Sequence, residues 1–332
     1  MIKKRFMALT VLFAVVIMFC SVRASEAASQ RLRFGIAVSE ISTWYKGAEK
    51  FAELIKARTG GRYQVDLFAS DQLAAGNIIK GLELLRMGGT DIDMRSTLIY
   101  TTVDPKFTAP LMPWLVPSYE EADKAMSGKG GAMIFDLVRK NGIEPLAFGE
   151  SGFRQITNNK RIITSPADMY GLKIRVPTIK MYISLFKTMK ADPTSINFGE
   201  LFAALQQGTV DGQENPPDVI ASARVQEVQK YMTVWNASYD PIIMSASKKF
   251  WDSLSADDKK IFAAAAQEAM AYQKKFAREK NAELTKSFSE KMKITTLTPQ
   301  QIDAFRKASV PVYDEYSPII GKELLEAFGY KK

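Results

Sequence analysis

The chain has 332 residues, a formal charge of +9, one Cys and no His. Without His it can form no Ser-His-Asp triad, no Cys-His pair and no His-ligated zinc site, whereas carboxylate-only hydrolases and Ser-Lys enzymes survive that filter. At this length one core is strained and two domains are expected; Lys and Arg are scattered, often beside acids, with no basic block of the kind that binds nucleic acid.

The first residues read as a targeting segment. Lys3, Lys4 and Arg5 precede an apolar run from Phe6 to Cys20 that is too short for a comfortable membrane span. Ser25 and Ala27 place small residues where a signal peptidase needs them, so cleavage is expected before Ala28, giving a periplasmic protein; an uncleaved anchor is the lesser alternative. A lipoprotein reading at Cys20 fails on Phe19, which stands where a small residue is required. Cys20 leaves with the segment, so the remaining chain has no disulfide and must rest on packing. No later stretch reaches the ~18 uninterrupted apolar residues of a membrane helix, and a soluble protein is expected.

In chain order, Arg31 to Ala37 reads as a strand. Thr43 to Thr59 reads as an amphipathic helix with Trp44, Ala48, Phe51, Leu54 and Ile55 on one face, stopped by Gly60 and Gly61. A strand over Tyr63–Phe68, a helix over Ala74–Met87 and a strand over Asp91–Met94 follow. This β-α-β-α-β order implies an α/β fold with a parallel sheet. After a Pro-containing connection (99–117), helices are expected near 119–126 and 132–141, and separate strands at 143–148 and 153–157. Ser165, Pro166 and Asp168 mark a helical start. A strand carrying Arg175 ends at Pro177. Helices are read at 181–189 and 199–207, then a strand at 211–215, a helix, and strands at 232–236 and 242–245. From Ser255 to Met292 neither Gly nor Pro interrupts a helical pattern with Phe262, Ala265, Ala269, Tyr272 and Phe276 as its stripe. So long a helix exceeds one domain and is expected to brace both.

Arg175 is the sharpest candidate for binding. It lies at the C-terminal edge of its strand, where open α/β sheets place their ligand crevices, and its planar fork matches a carboxylate. Arg154 is a second cation on a neighbouring strand. For both, the competing reading is a structural ion pair or a surface charge. Asn215 can donate and accept, which suits a carboxylate or hydroxyl oxygen, but it also fits a turn before Pro216. Phe198 is either a pocket wall or core, and Tyr239 either a ligand wall or an exposed loop residue.

The runs Gly152–Asn158, Ser165–Pro177 and Phe198–Pro216 resemble the solute-binding proteins of tripartite ATP-independent periplasmic (TRAP) transporters, and the similarity extends through Lys248–Leu254 and the long helix. The resemblance implies a two-lobed α/β fold, with crossing strands and the long helix joining the lobes. The division it suggests is a signal peptide over 1–27, lobe I over 28–151 plus about 241–280, and lobe II over 152–240 plus about 281–332. It implies that Arg175 makes the main salt bridge to the carboxylate of a small organic acid, with Arg154, Asn215 and Phe198 at further pocket positions. The acid would be a C4-dicarboxylate, a hexuronate or other sugar acid, or a hydroxy or keto acid. Closure would deliver it from a monomer to two membrane subunits driven by a sodium gradient, with no cofactor and no chemistry of its own. Where sialic-acid binders carry an acid, an Arg and an Asn, this chain has Ser96, Ile99 and Ala37, so sialate is disfavoured. Arg95 is either a further ligand contact or a surface charge.

Other signals carry less. Ser245 and Lys248 fit a Ser-x-x-Lys pattern but lack the later elements such enzymes need. The Gly-rich run 127–131 lacks Walker spacing. Asp91 and Asp93 read better as a solvated strand end than as a metal site, and the sequon at Asn236 has no weight in a bacterial periplasm. An exported carboxylate hydrolase and a ligand-sensing subunit of a signalling system are the alternative functions.

Overall fold

The computed structural model describes residues 29–331. The expected signal segment and its cleavage point lie outside the described residues. Strand β1 (Gln30–Ile36) leads through helix α1 (Thr43–Arg58) to β2 (Tyr63–Phe68), then α2 (Ile78–Arg86), β3 (Ile92–Ser96) and the single turn α3 (Thr97–Tyr100). Ser42 caps α1 by accepting from the Tyr45 N–H, and Asn77 caps α2 by accepting from Ile79 and Lys80. The expected helix over 74–87 therefore starts later, because Asp71 and Ala75 take left-handed backbone that cannot continue into it.

Helices α4 (Tyr119–Ser127) and α5 (Lys129–Lys140) follow, then β4 (Ile143–Phe153) and β5 (Gln155–Asn158). Next come β6 (Lys173–Val176), α6 (Lys180–Thr188), β7 (Asp192–Ser195), α7 (Leu201–Gln206), β8 (Gly212–Asn215) and α8 (Pro217–Ser222). The chain ends through β9 (Tyr231–Val234), β10 (Tyr239–Ser247), α9 (Lys248–Ser253), α10 (Ala256–Ser287), β11 (Lys293–Thr296), α11 (Pro299–Ala308), α12 (Val310–Ile320) and α13 (Lys322–Ala327).

The strands form two sheets, ordered β2-β1-β3-β10-β4 and β11-β9-β5-β8-β6-β7. The expected parallel set holds for β2, β1 and β3, but β10 and β4 complete that sheet antiparallel. In the second sheet β6 runs parallel to β7 and β8, with Arg175 opposite Gln213. The chain passes between the sheets three times, from β4 into β5, from β9 into β10 and, by way of α10, from β10 to β11; the first two passages involve the long strands β4 and β10. These two long strands pair from Tyr239–Phe153 to Ser247–Ile143 and form the crossing.

β4 corrects the expectation of two strands separated by a loop at 149–152. That stretch is polar and holds two Gly, which reads as a turn. The structure keeps it extended and buried, with Gly152 at φ +110 and a register shift in the pairing at Asp240/Pro241. Its polar backbone is satisfied by α10. The Gln273 amide accepts from the Glu150 N–H (2.9 Å) and donates to the Glu150 carbonyl (2.8 Å), and Asn281 donates to the Ser151 carbonyl (2.9 Å).

Helix α10 is 32 residues long, about 48 Å, and stops at Ser287 rather than at Met292. Ser255 caps it. Its buried stripe runs through Phe262, Ala265, Ala269, Gln273, Ala277 and Asn281. Tyr272, expected in the stripe, is exposed and stacks on Phe276. The small Ala face packs on α1 and β4, while the later turns reach α8, so the helix spans both sheets. β7 went unread because Asp192–Ser195 is a polar edge strand with Pro193, a position where an apolar pattern is not required.

Candidate functional site

Between the sheets lies a cavity with about 600 Å³ of empty space, its open mouth included. One wall comes from the end of β1 (Ala37, Val38), the end of β3 (Ser96), α3 (Leu98, Ile99), α1 (Trp44) and α2 (Ile78). The other comes from β6 and the residues after it (Arg175, Pro177, Thr178), Asn215 at the end of β8, and Asn197 and Phe198. Arg154 and Asp240, beside the crossing strands, form the floor. The chemistry sits at the C-terminal ends of parallel strands, as expected of such sheets.

Arg175 is buried, 2% exposed. Its Nε donates to the Ile196 carbonyl (2.9 Å), and its guanidinium lies 6.0 Å from the centre of the half-buried Phe198 ring. Neither a carboxylate nor any other acceptor takes its four Nη hydrogens among the described residues. Burial, with Arg154 nearby and only partly offset by Glu214, pulls its pKa down to about 10. At neutral pH it remains a cation without an anion.

Arg154 is committed to the protein. Its Nε and Nη2 meet the Glu214 carboxylate, Nη1 meets Asp240 (2.5 Å), and Nη2 also reaches Asn215 Oδ1 (2.9 Å). Burial works against its charge, but Glu214 and Asp240 outweigh it and raise its pKa. Of its five N–H groups, one on Nη1 remains for a ligand. Because Arg only donates, Asn215 Oδ1 must be the acceptor. Asn215 Nδ2 then donates to Gln213 Oε1 (2.5 Å), and Gln213 Nε2 to Thr157 Oγ1 (3.0 Å). This chain of amides fixes the orientation of Asn215 at the cavity.

Four candidates, Arg175, Arg154, Asn215 and Phe198, therefore come together around one space. Two do not. Tyr239 is neither a ligand wall nor an exposed loop residue: it starts β10, is buried, and donates to Glu150 Oε2 (3.0 Å). Arg95 is neither a ligand contact nor a surface charge. It points away from the face that Ser96 presents, pairs with Asp93 (2.7 Å) and Asp71, and donates to the Ile78 carbonyl (2.9 Å). Ala37, Ser96 and Ile99, singled out as departures from sialic-acid binders, do line the cavity.

Sequence reasoning missed Glu214 and Asp240. The signal was present: an acid in a buried strand needs a cation, and Arg154 was already in view. Ser96 donates to Asp240, tying the first sheet to this pair. The Ser-x-x-Lys pattern does not form a nucleophile pair. The Ser245 hydroxyl lies 3.0 Å from that of Tyr100, and Lys248 goes to Asp252 (2.6 Å).

Two sheets joined by crossing strands and closing on a cavity with, among the described residues, one uncommitted buried cation define a binding protein for a small anion. The sequence model of the bacterial extracellular solute-binding proteins, family 7, matches residues 34–318. The chain belongs to this family, the solute-binding proteins of TRAP transporters, which are binding proteins and not enzymes. It is 32% identical over 266 residues to the 2,3-diketo-L-gulonate-binding periplasmic protein YiaO of Escherichia coli, covering 80% of each chain. Among solved structures, a TRAP periplasmic solute-binding protein from Ralstonia eutropha with bound (S)-2-acetolactate superposes with a TM-score of 0.87 at 34% identity, over 90% of this chain and 98% of that one. The sugar-acid-binding protein DctPAm of Advenella mimigardefordensis, in complex with galactonate, gives 0.86 at 32% identity, over 90% and 96%.

Proposed function

We propose that this protein captures a small organic acid in the periplasm by salt-bridging its carboxylate to Arg175, and hands it to the two membrane subunits of a TRAP transporter. The observation that carries this reading is the Arg175 guanidinium, buried in the cavity with four N–H groups free among the described residues. The ligands named for the relatives above, diketogulonate, acetolactate and galactonate, are all carboxylic acids, which supports an acid here. The protein acts as a monomer after export and cleavage near Ala27. Its lobes are 28–151 plus about 241–280, and 152–240 plus about 281–332.

Closure is held by contacts between the two sides. Asp218 on α8 accepts from the Thr43 N–H (3.1 Å) and hydroxyl (2.8 Å) at the start of α1. Asn197 donates to the Gly76 carbonyl (3.0 Å), and Ser39 to the Ser222 carbonyl (2.9 Å). A ligand favours this form only by binding it more tightly than the open one, and the carboxylate supplies that difference by neutralising Arg175.

The test is calorimetric titration with the best acid from a thermal-shift screen. Arg175→Ala should weaken binding by at least ~2 kcal/mol, the scale of a lost buried charge contact. Unchanged affinity would remove Arg175 from this role.

A further inference from the structure

The charge and hydrogen-bond inventory of the cavity narrows the acid further, granting that Arg175 holds its carboxylate. Arg175, Arg154 and Asp240 line the cavity and Glu214 lies against Arg154, two cations and two anions, so one ligand carboxylate already leaves the group one charge negative. A second carboxylate on the same ligand would meet Asp240 or the wall opposite. Apart from the Trp44 indole N–H, that wall is largely apolar: Val38, Trp44, Ile78, Leu98 and Ile99, with Val219 of α8 beside them. A buried carboxylate without a cation is strongly disfavoured there.

The polar side chains are also largely used. Asn215 Oδ1 accepts from Arg154, and one of its two Nδ2 hydrogens goes to Gln213. The Ser96 hydroxyl donates to Asp240 and accepts from the Leu98 N–H, and the Thr102 hydroxyl donates to the Ile99 carbonyl. What remains beyond Arg175 is one N–H of Arg154, the second Nδ2 hydrogens of Asn215 and Asn197, the unpartnered Trp44 indole N–H, the Thr178 hydroxyl, which already accepts from Ser195 (3.1 Å), and the spare lone pairs of Asp240 and of the Asn197 side-chain carbonyl. Those beside Arg175 and Arg154 can serve an oxygen next to the carboxylate. Along Val38, Ile78, Leu98 and Ile99 no side chain serves the hydroxyl row of an aldonic or uronic acid, most of which would face hydrocarbon.

We propose that the ligand class is a 2-oxo or 2-hydroxy monocarboxylic acid with a branched aliphatic body. Its carboxylate sits on Arg175, its 2-oxygen against Arg154 and its alkyl group against the wall of Val38, Trp44, Leu98 and Ile99. Asp240 is the specificity residue that repels a second carboxylate.

The test uses matched probes in calorimetry at pH 7 on the purified, ligand-stripped chain: 2-hydroxy-4-methylpentanoate, malate and gluconate. The first two have the same shape, with isopropyl in place of the second carboxylate. The methylpentanoate should bind at least 10-fold more tightly than malate and than gluconate. Asp240→Asn, checked for folding by its thermal melt, should narrow the gap to malate. Malate or gluconate binding as tightly as the methylpentanoate would overturn the proposed class. If that binding still vanished in Arg175→Ala, the anchor would stand and only the class would fall. Binding of none of the three at millimolar concentration would also overturn the class, and binding of any of them that Arg175→Ala leaves unchanged would count against the anchor.

Discussion

Arg95 and Arg175 are buried to the same depth, 1% and 2% exposed, one in each sheet. Arg95 lies between Asp71 and Asp93 and ties the segment before α2 to β3. Burial opposes its charge, yet the two acids outweigh that and raise its pKa above the ordinary value. Arg175 has the same desolvation and no acid of its own, so its pKa falls to about 10. A buried cation whose partners are all in the chain is architecture. One whose partner is missing from the chain is a site, because the fold has paid its desolvation without the ion pair that would offset it.

The largest predicted effect breaks the structural half of this comparison. Arg95→Met leaves Asp71 and Asp93 buried without a cation and should lower unfolding stability by about 3–5 kcal/mol, read by urea denaturation. A near-neutral result would mean that the cluster is not the lock described.

The hinge should respond to its amide clamp. Gln273→Ala strips both hydrogen bonds from Glu150 in the extended part of β4 and should cost about 1–3 kcal/mol. An unchanged denaturation midpoint would contradict that role.

A smaller effect concerns pH. Burial, opposed by the Thr43 donors, pushes the Asp218 carboxyl up to about 6, and burial likewise lifts Asp93 to about 7. Because both folded values lie above the unfolded ones, the folded state holds protons that the unfolded chain releases. Their contribution to stability is therefore present below about pH 4 and is lost as pH rises through 6 to 7. Asp218→Asn should remove on the order of 2 kcal/mol of that decline below pH 6. A pH profile identical to wild type would contradict it.

Much of this was legible in the chain. Strands β1, β2 and β6 and helices α1 and α10 follow periodicity and caps. Arg175 could be placed at a strand end, and the run from Phe198 to Asn215 carried the family. What was not legible depends on long-range partners. The polar stretch of β4 is a strand only because Gln273 and Asn281, more than 120 residues later, satisfy its backbone. Tyr239 is buried against Phe153 with its hydroxyl on Glu150, 89 residues earlier. Arg95 reads like Arg175 in sequence; Asp71, on a left-handed turn, makes the difference, and no local pattern announces that turn.

The most direct measurement is the thermal melt of Arg175→Met with and without the acid that stabilises the wild type. If Arg175 is a desolvated cation awaiting its anion, the ligand-free variant should melt at or above the wild-type temperature, and the acid should no longer shift it. A destabilised ligand-free variant that still gains stability from the acid would contradict the account.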